Sequence, residues 1–488
     1  MKTYPTLETA KEYAADGRYD IMPVSCELLS DICTPIEAVK ILKNVSTHCY
    51  LLESSKDNER WGRWTFLGYE PAMELTCSDD KLTVGGMDIE TDDPTPHLRS
   101  LMAKYRSPRV EGLPPFTGGL VGYFSYDFIG YSEPSVKFPV DDSEHFKNAD
   151  LMLFDKVIAF DHYRGRLVLI ANMKLSDPET GYNKACLELK QMADLLQNGK
   201  PSSEPPGRLR SEVTELFTKD EFCSMIDKAK QHITDGDIFQ IVLSNRLCAE
   251  YEGSLLNTYR ILRTTNPSPY MFYFSGTDVE IAGASPETLV KLENGVLHTF
   301  PLAGTRPRGK TYEEDQALEK ELLADEKELA EHNMLVDLGR NDLGRISRFG
   351  TVSVERYKCI ERYSHVMHIG STVRGEIRSD CDAFDAVSAV LPAGTLSGAP
   401  KIRACQLIAE LENNKRGLYG GAIGYIDFTG NLDTCIAIRS AYKKNGKVFI
   451  RSGAGIVADS IPENEYRECR NKAAAVVEAL KAAEEVEL

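Results

Sequence analysis

The chain has 488 residues, of which 42% are apolar, 9% aromatic and 27% charged, a composition that excludes wholesale disorder. Its 57 Lys and Arg against 74 Asp and Glu leave a formal charge of −17. That balance disfavours a sequence-independent nucleic-acid binder, which needs basic surface to displace phosphate counterions, but leaves small anionic substrates open.

In chain order, Met1 to Asp20 is polar and mixed in charge, unlike a secretory signal. No apolar stretch anywhere approaches the roughly 20 residues of a spanning helix, so no membrane contact is expected. The 12 cysteines are scattered without a C-x-x-C pair, which argues for neither disulfides nor zinc and for a cytoplasmic protein. The N-terminal part is rich in short apolar runs, CYLLES, LMLFDKVIAF and RLVLIAN, bounded by turn-formers and of strand length. A helical pattern, Tyr182 to Leu196, precedes NGKPSSEPPGRLRSE (Asn198–Glu212), and another helix starts near Thr218. The Pro, Ser and Gly of the intervening stretch suggest a linker over 201–214 between lobes 1–200 and 215–488.

The C-terminal part mixes strands (Tyr270–Phe274, Leu289–Leu292, Gly424–Phe428, Lys447–Ser452) with clear helices. They do not alternate regularly, and no GxGxxG turn follows a strand. This predicts an α+β fold with large antiparallel sheets packed as a sandwich and helices outside, not a doubly wound nucleotide fold. No repeat of solenoid period is present.

Two helical stretches carry paired carboxylates. Glu313 to Leu338 reads as one long helix with an apolar stripe of Leu318, Leu322, Leu329, Met334 and Leu335, and places Glu328 and Glu331 on one face. Ser460-Ile461-Pro462-Glu463 matches a capping box with proline in the first turn. The last helix then carries Glu465 and Glu468 on its first two turns and buries Ala473, Val476, Val477 and Leu480. Four carboxylates brought together need protonation or a cation, and an all-oxygen set suits Mg²⁺. Spacing alone does not separate this from a solvated acidic face, the commoner meaning of such pairs.

Several loops are too specific to be generic: GASPE (Gly283–Glu287), PLAGTRPRG (Pro301–Gly309), DEKELAEHNMLVDLGRNDLGRI (Asp325–Ile346) and YSHVMHIGSTVRG (Tyr363–Gly375). LPAGTLSGAPKIRA (Leu391–Ala404), RGLYGGAIGY (Arg416–Tyr425) and SGAGIVADSIPENEYRE (Ser452–Glu468) continue the series. Over about residues 215 to 488 the chain resembles the chorismate-binding enzymes, the family of anthranilate synthase component I, aminodeoxychorismate synthase component I and the isochorismate and salicylate synthases. The resemblance implies that Glu328, Glu331, Glu465 and Glu468 bind Mg²⁺, with Glu331 and Glu468 closest, and that the ion holds the ring carboxylate of chorismate.

Two positions narrow the resemblance. Where water-activating members carry a lysine, GDIFQIVLSNR (Gly236–Arg246) has Gln240, which cannot serve as that base. Where aminodeoxychorismate synthases read P-I-K-G-T, this chain has Ala303, which removes the nucleophilic lysine. Ammonia is left as the nucleophile, as in anthranilate synthase. CYLLESS (Cys49–Ser55), RWTFLGYEP (Arg63–Pro71) and NPSPYMFY (Asn266–Tyr273) resemble that enzyme's tryptophan feedback site, with Glu53 and Ser54 beside Pro269, Tyr270 and Met271.

By the same resemblance Glu287 is the general acid, His368 lies near the leaving groups, and Thr395, Gly304 and Thr305 line the ring. Tyr419 and Arg439 hold the enolpyruvyl carboxylate, helped by the backbone of Gly453, Ala454 and Gly455. His365 lacks a counterpart and reads as structural. PAGTLSGAPK is not G-x-x-x-x-G-K-[ST], so ATP binding is not supported. No cysteine sits in a glutaminase nucleophile loop, so glutamine-derived ammonia requires a separate glutamine amidotransferase subunit.

Overall fold

The computed structural model describes residues 2–54, 62–138, 142, 144–202, 205–362 and 366–486. Two antiparallel sheets dominate it, one of 14 strands and one of 12, with helices on the outer faces. Along each strand successive side chains point to opposite faces. In Lys156–Asp161, Val157 and Ala159 enter the core between the sheets, while Ile158 and Phe160 face the helix-covered side. Both faces are dry, which is why LMLFDKVIAF reads as a continuous apolar run.

The inter-sheet core joins Tyr50, Phe154, Phe272, Phe274, Ile423 and Phe449, with Tyr50 and Phe154 ring centroids 4.7 Å apart. Both sheets take strands from either side of residues 201–214. Cys49–Glu53 pairs with Tyr270–Ser275, and Gly119–Phe124 pairs with Ala422–Asp427. A division at 201–214 therefore separates stretches of sequence that share both sheets. Among the described residues no helix is long and apolar enough to cross a membrane.

Three local expectations need correction or extension. The acidic stretch is two helices, Tyr312–Ala324 and Glu326–Gly344, not one. Asp325 breaks it: its backbone is extended, and its carboxylate accepts from the amides of Lys327 and Glu328 as an N-cap. The last helix, Pro462–Ala482, begins at its proline as expected, but Ile461 caps it without a side-chain bond, so the capping box is not made. Ser460 Oγ instead accepts from Val457 N at 3.1 Å and hydrogen-bonds the Glu465 carboxylate. The helix Tyr182–Leu196 extends to Pro178–Asn198.

Behind the site lies a fully buried ion cluster. Glu412 accepts from Arg416 Nε at 2.9 Å, Arg451 Nη2 at 2.6 Å and Ser244 N at 2.8 Å. Arg416 also donates to the carbonyls of Leu396 and Val242, both at 2.7 Å, tying together the segments that carry Thr395 and Gln240.

Candidate active site

Glu287 follows the strand Glu280–Ser285, held by its amide donating to Ser285 Oγ at 3.4 Å and by its carbonyl accepting from Ile436 N at 3.0 Å. Thr395, in the tight turn Gly394–Leu396, donates to Glu287 Oε1 at 3.1 Å. The carboxyl retains some exposure to the cleft, yet protein encloses it, and this desolvation pushes its pKa up to about 7 despite Thr395, Arg439 and Lys472. Arg439 itself has a φ of 50°, a conformation a non-glycine residue adopts at a cost.

Strand Leu302–Pro307 breaks register with Val366–Glu376 between Ala303 and Thr305. Gly304, at φ 69°, supplies the bulge, and a Cβ there would lie 3.1 Å from Glu328 Oε2. The Gly304 carbonyl lies 2.9 Å from His368 Nδ1, with Thr305 Oγ1 at 3.1 Å. A carbonyl only accepts, so Nδ1 carries a proton, and in the neutral imidazole Nε2 is then the acceptor nitrogen.

On the opposite wall, Gly453, Ala454 and Gly455 pair with Ser244, Leu243 and Val242. The strand on their other side, Ser440–Lys444, pairs only as far as Ile450, which releases the 453–455 backbone from the sheet on that edge. A Cβ on Gly453 would sit 2.8 Å from the Tyr419 hydroxyl, so only glycine permits that approach. Gln240 lies against Gly455 and hydrogen-bonds Glu331.

The carboxylate pairs face this cleft from two helices. Burial and then the charge of Glu328 hold Glu331 above the usual carboxylate range; burial and Glu468 do the same to Glu465. Lys327, beside Glu328, acts on Glu465 of the other helix, and Lys472, one turn beyond Glu468, acts on Glu331. Charge on each helix is thus felt by a carboxylate on the other. Among the described residues no three of these groups converge on one point as a metal-holding cluster. In donor chemistry the set fits a hard divalent cation: all oxygen, partly desolvated, with repulsion inside each pair that a cation would relieve.

Lys472 escaped the sequence reading. Its ammonium meets Glu468 Oε1 at 2.6 Å and donates to the Gly453 carbonyl at 3.1 Å, linking the second carboxylate pair to the 453–455 strand. The available signal was its i, i+4 spacing after Glu468, on the favourable side for an ion pair. Ser55 and His365 lie outside the described residues.

The five proposed effector residues come together elsewhere. Glu53, Ser54, Pro269, Tyr270 and Met271 line one cavity of about 340 Å³, with Trp64, Lys291, Asp433 and Cys435 among its other walls. Glu53 is opposite Met271 in the ladder and is fixed by Arg263 Nε at 2.6 Å and by the Tyr259 hydroxyl.

With cleft and cavity in place, the family follows. The chain belongs to the chorismate-binding enzymes, whose family profile matches residues 47–478. It is 46% identical to anthranilate synthase component 1 of Acetivibrio thermocellus, covering 99% of each chain, and 43% identical to that of Aquifex aeolicus, covering 96% of each. The crystal structure of anthranilate synthase component I from Streptococcus pneumoniae superposes with a TM-score of 0.77 at 38% identity, over 92% of this chain and 98% of that one. The menaquinone-specific isochorismate synthase of Escherichia coli shares the fold at 20% identity, with a TM-score of 0.70 over 97% and 99% of the two chains.

Proposed function

We propose that the chain converts chorismate and ammonia to anthranilate and pyruvate in the cytoplasm, as the synthase subunit for tryptophan biosynthesis. The observation that carries the reading is Glu287, a carboxyl enclosed beside Thr395 with its pKa pushed up to about 7. Such a group is still partly protonated near neutral pH and can give its proton to a departing hydroxyl.

In this reading ammonia adds at ring C2 while the C4 hydroxyl leaves with the Glu287 proton, and pyruvate is then eliminated. Arg439 and Tyr419 hold the enolpyruvyl carboxylate, the former through its planar fork of donors. Gly453, Ala454 and Gly455 add backbone donors at the released sheet edge. Gly304, Thr305 and Thr395 line the ring, and His368, with its proton committed toward Gly304, orients substrate through Nε2. Gln240 is an amide and Ala303 a methyl group, so neither activates water nor attacks the ring; the nucleophile comes from outside. Mg²⁺ held by Glu328, Glu331, Glu465 and Glu468 would supply a positive charge for the ring carboxylate.

The cavity at Glu53, Ser54, Pro269, Tyr270 and Met271 is the proposed tryptophan site, and a glutamine amidotransferase subunit is the proposed ammonia source. The proposed sequence units are 1–200 and 215–488. The test is incubation of the purified protein with chorismate, Mg²⁺ and ammonium, following anthranilate fluorescence. Steady, Mg²⁺-dependent growth of the signal is expected. Formation of aminodeoxychorismate alone overturns the choice of reaction, and failure to consume chorismate overturns catalysis altogether.

A further inference from the structure

The 340 Å³ cavity and the Glu287 site are bridged through Thr288, which lines the cavity beside Glu287 and is hydrogen-bonded to Tyr270 in the wall of the larger one. Three cavities of about 340, 90 and 30 Å³ follow one another: the first and second share Pro269, the second and third share Thr288, and Glu287 lines the third. Tyr270, in the wall of the first, donates its hydroxyl to Asp433 Oδ1 at 2.9 Å and lies 3.0 Å from Thr288 Oγ1. A phenol has a single proton, so with that proton given to the carboxylate, Thr288 is the donor in the second bond.

Thr288 directly follows Glu287 and opens the strand Thr288–Glu293. This strand breaks register with Leu432–Ile436 between Thr288 and Val290. Such an irregularity re-aims neighbouring side chains and is over-represented beside active sites. The other flank of Glu287 leads to the same wall. Ser285, whose hydroxyl accepts from the Glu287 amide, is opposite Tyr270 in the ladder. Asp433 and Cys435 line the cavity, and the next residue, Ile436, donates its amide to the Glu287 carbonyl.

Resting on the reading of this cavity as the tryptophan site, we propose that Thr288 is a positioning residue that couples occupation of the cavity to the placement of Glu287. A ligand that displaces Tyr270 or Asp433 breaks the Tyr270–Thr288 hydrogen bond, and Glu287, one residue away, loses its alignment with Thr395. The inhibitor then acts on the acid without touching the chorismate cleft. A spatial chain of contacts becomes coupling only when its members bias a common equilibrium, so the test must separate binding from its consequence.

Thr288→Val keeps the branched shape and removes the hydroxyl. Two quantities are measured for each protein: the tryptophan Kd by calorimetry, and the tryptophan concentration that halves anthranilate formation at low chorismate. Thr288→Val lacks the bond that the ligand breaks, so we expect its uninhibited anthranilate formation to fall toward the parent's inhibited level, with a Kd within threefold of the parent and a half-inhibitory concentration, relative to its own uninhibited rate, at least tenfold higher. Thr288→Ser, which keeps the donor, restores the parental ratio of the two. Tyr270→Phe removes the same bond from the other partner and raises that ratio similarly, whatever it does to Kd itself. Linkage adds a reciprocal readout: chorismate weakens tryptophan binding in the parent and not in Thr288→Val. An unchanged ratio in both Thr288→Val and Tyr270→Phe overturns the proposal. A parent protein that binds no tryptophan overturns the effector reading, and the proposal with it.

Discussion

Replacing Thr395 by valine tests the electrostatic state of Glu287. The Thr395 hydroxyl donates to Glu287 Oε1 at 3.1 Å, and that bond favours the ionised carboxylate. Hydrogen bonds to charged groups contribute about 1.5–3 kcal/mol. At 3.1 Å, with Arg439 and Lys472 still acting on the carboxylate, the lower end applies. About 1.4 kcal/mol is one pKa unit, so the valine variant should carry its Glu287 pKa from about 7 to about 8. The direction is fixed: losing a donor to the anion favours the acid. A general acid must be protonated before substrate reacts, so the alkaline limb of kcat/KM for chorismate moves up by about one unit. The assay follows anthranilate fluorescence across pH at constant free ammonia, so that nucleophile supply does not shape the profile. Thr395→Val lowers the amplitude too, through the residue's proposed contact with the ring, but the limb position is independent of amplitude. Thr395→Ser retains the donor and should leave the limb in place. A limb that stays put in the valine variant, or moves down, refutes the assignment of Glu287 as the acid.

Glu468→Gln should cut activity by roughly 100-fold or more while leaving the tryptophan Kd unchanged by calorimetry; loss of both would make the residue structural. Ser54→Ala should raise the half-inhibitory tryptophan concentration about tenfold, the equivalent of one hydrogen bond, and unchanged inhibition would remove it from the effector site. Glu412→Ala strands two buried guanidiniums, Arg416 and Arg451, and should cost about 3–5 kcal/mol in urea unfolding; a cost below about 1 kcal/mol would mean that the cluster is not what locks these segments.

The sequence made the local chemistry readable and left the long-range arrangement hidden. Strand and helix types followed from period, and the Glu-x-x-Glu faces from helical spacing. The break at Asp325 was missed because leucines on both sides keep helical spacing, while the deciding feature is one aspartate that turns its carboxylate onto backbone amides. Ser460 looked like a cap because sequence shows its hydroxyl but not its competing partners, Val457 N and Glu465. Lys472 drew no notice in the sequence because its second partner, the Gly453 carbonyl, is supplied by the sheet rather than by its own helix. The resemblance put Glu53 beside Met271, but the rest of the interleaving, such as Gly122 opposite Gly424, is pairing at long sequence separation that periodicity does not encode. The pairs of carboxylates were legible as pairs; the tie from Lys472 to both Glu468 and the Gly453 carbonyl was not.

Product analysis with ¹⁵N-ammonium distinguishes amination and pyruvate loss from every other fate of chorismate. The protein, chorismate, Mg²⁺ and labelled ammonium are combined, and products are resolved by mass. ¹⁵N-anthranilate and pyruvate are expected in equal amounts, with no product of water addition. A nitrogen-containing product that retains the enolpyruvyl group, or isochorismate formed without label, would contradict the proposed reaction.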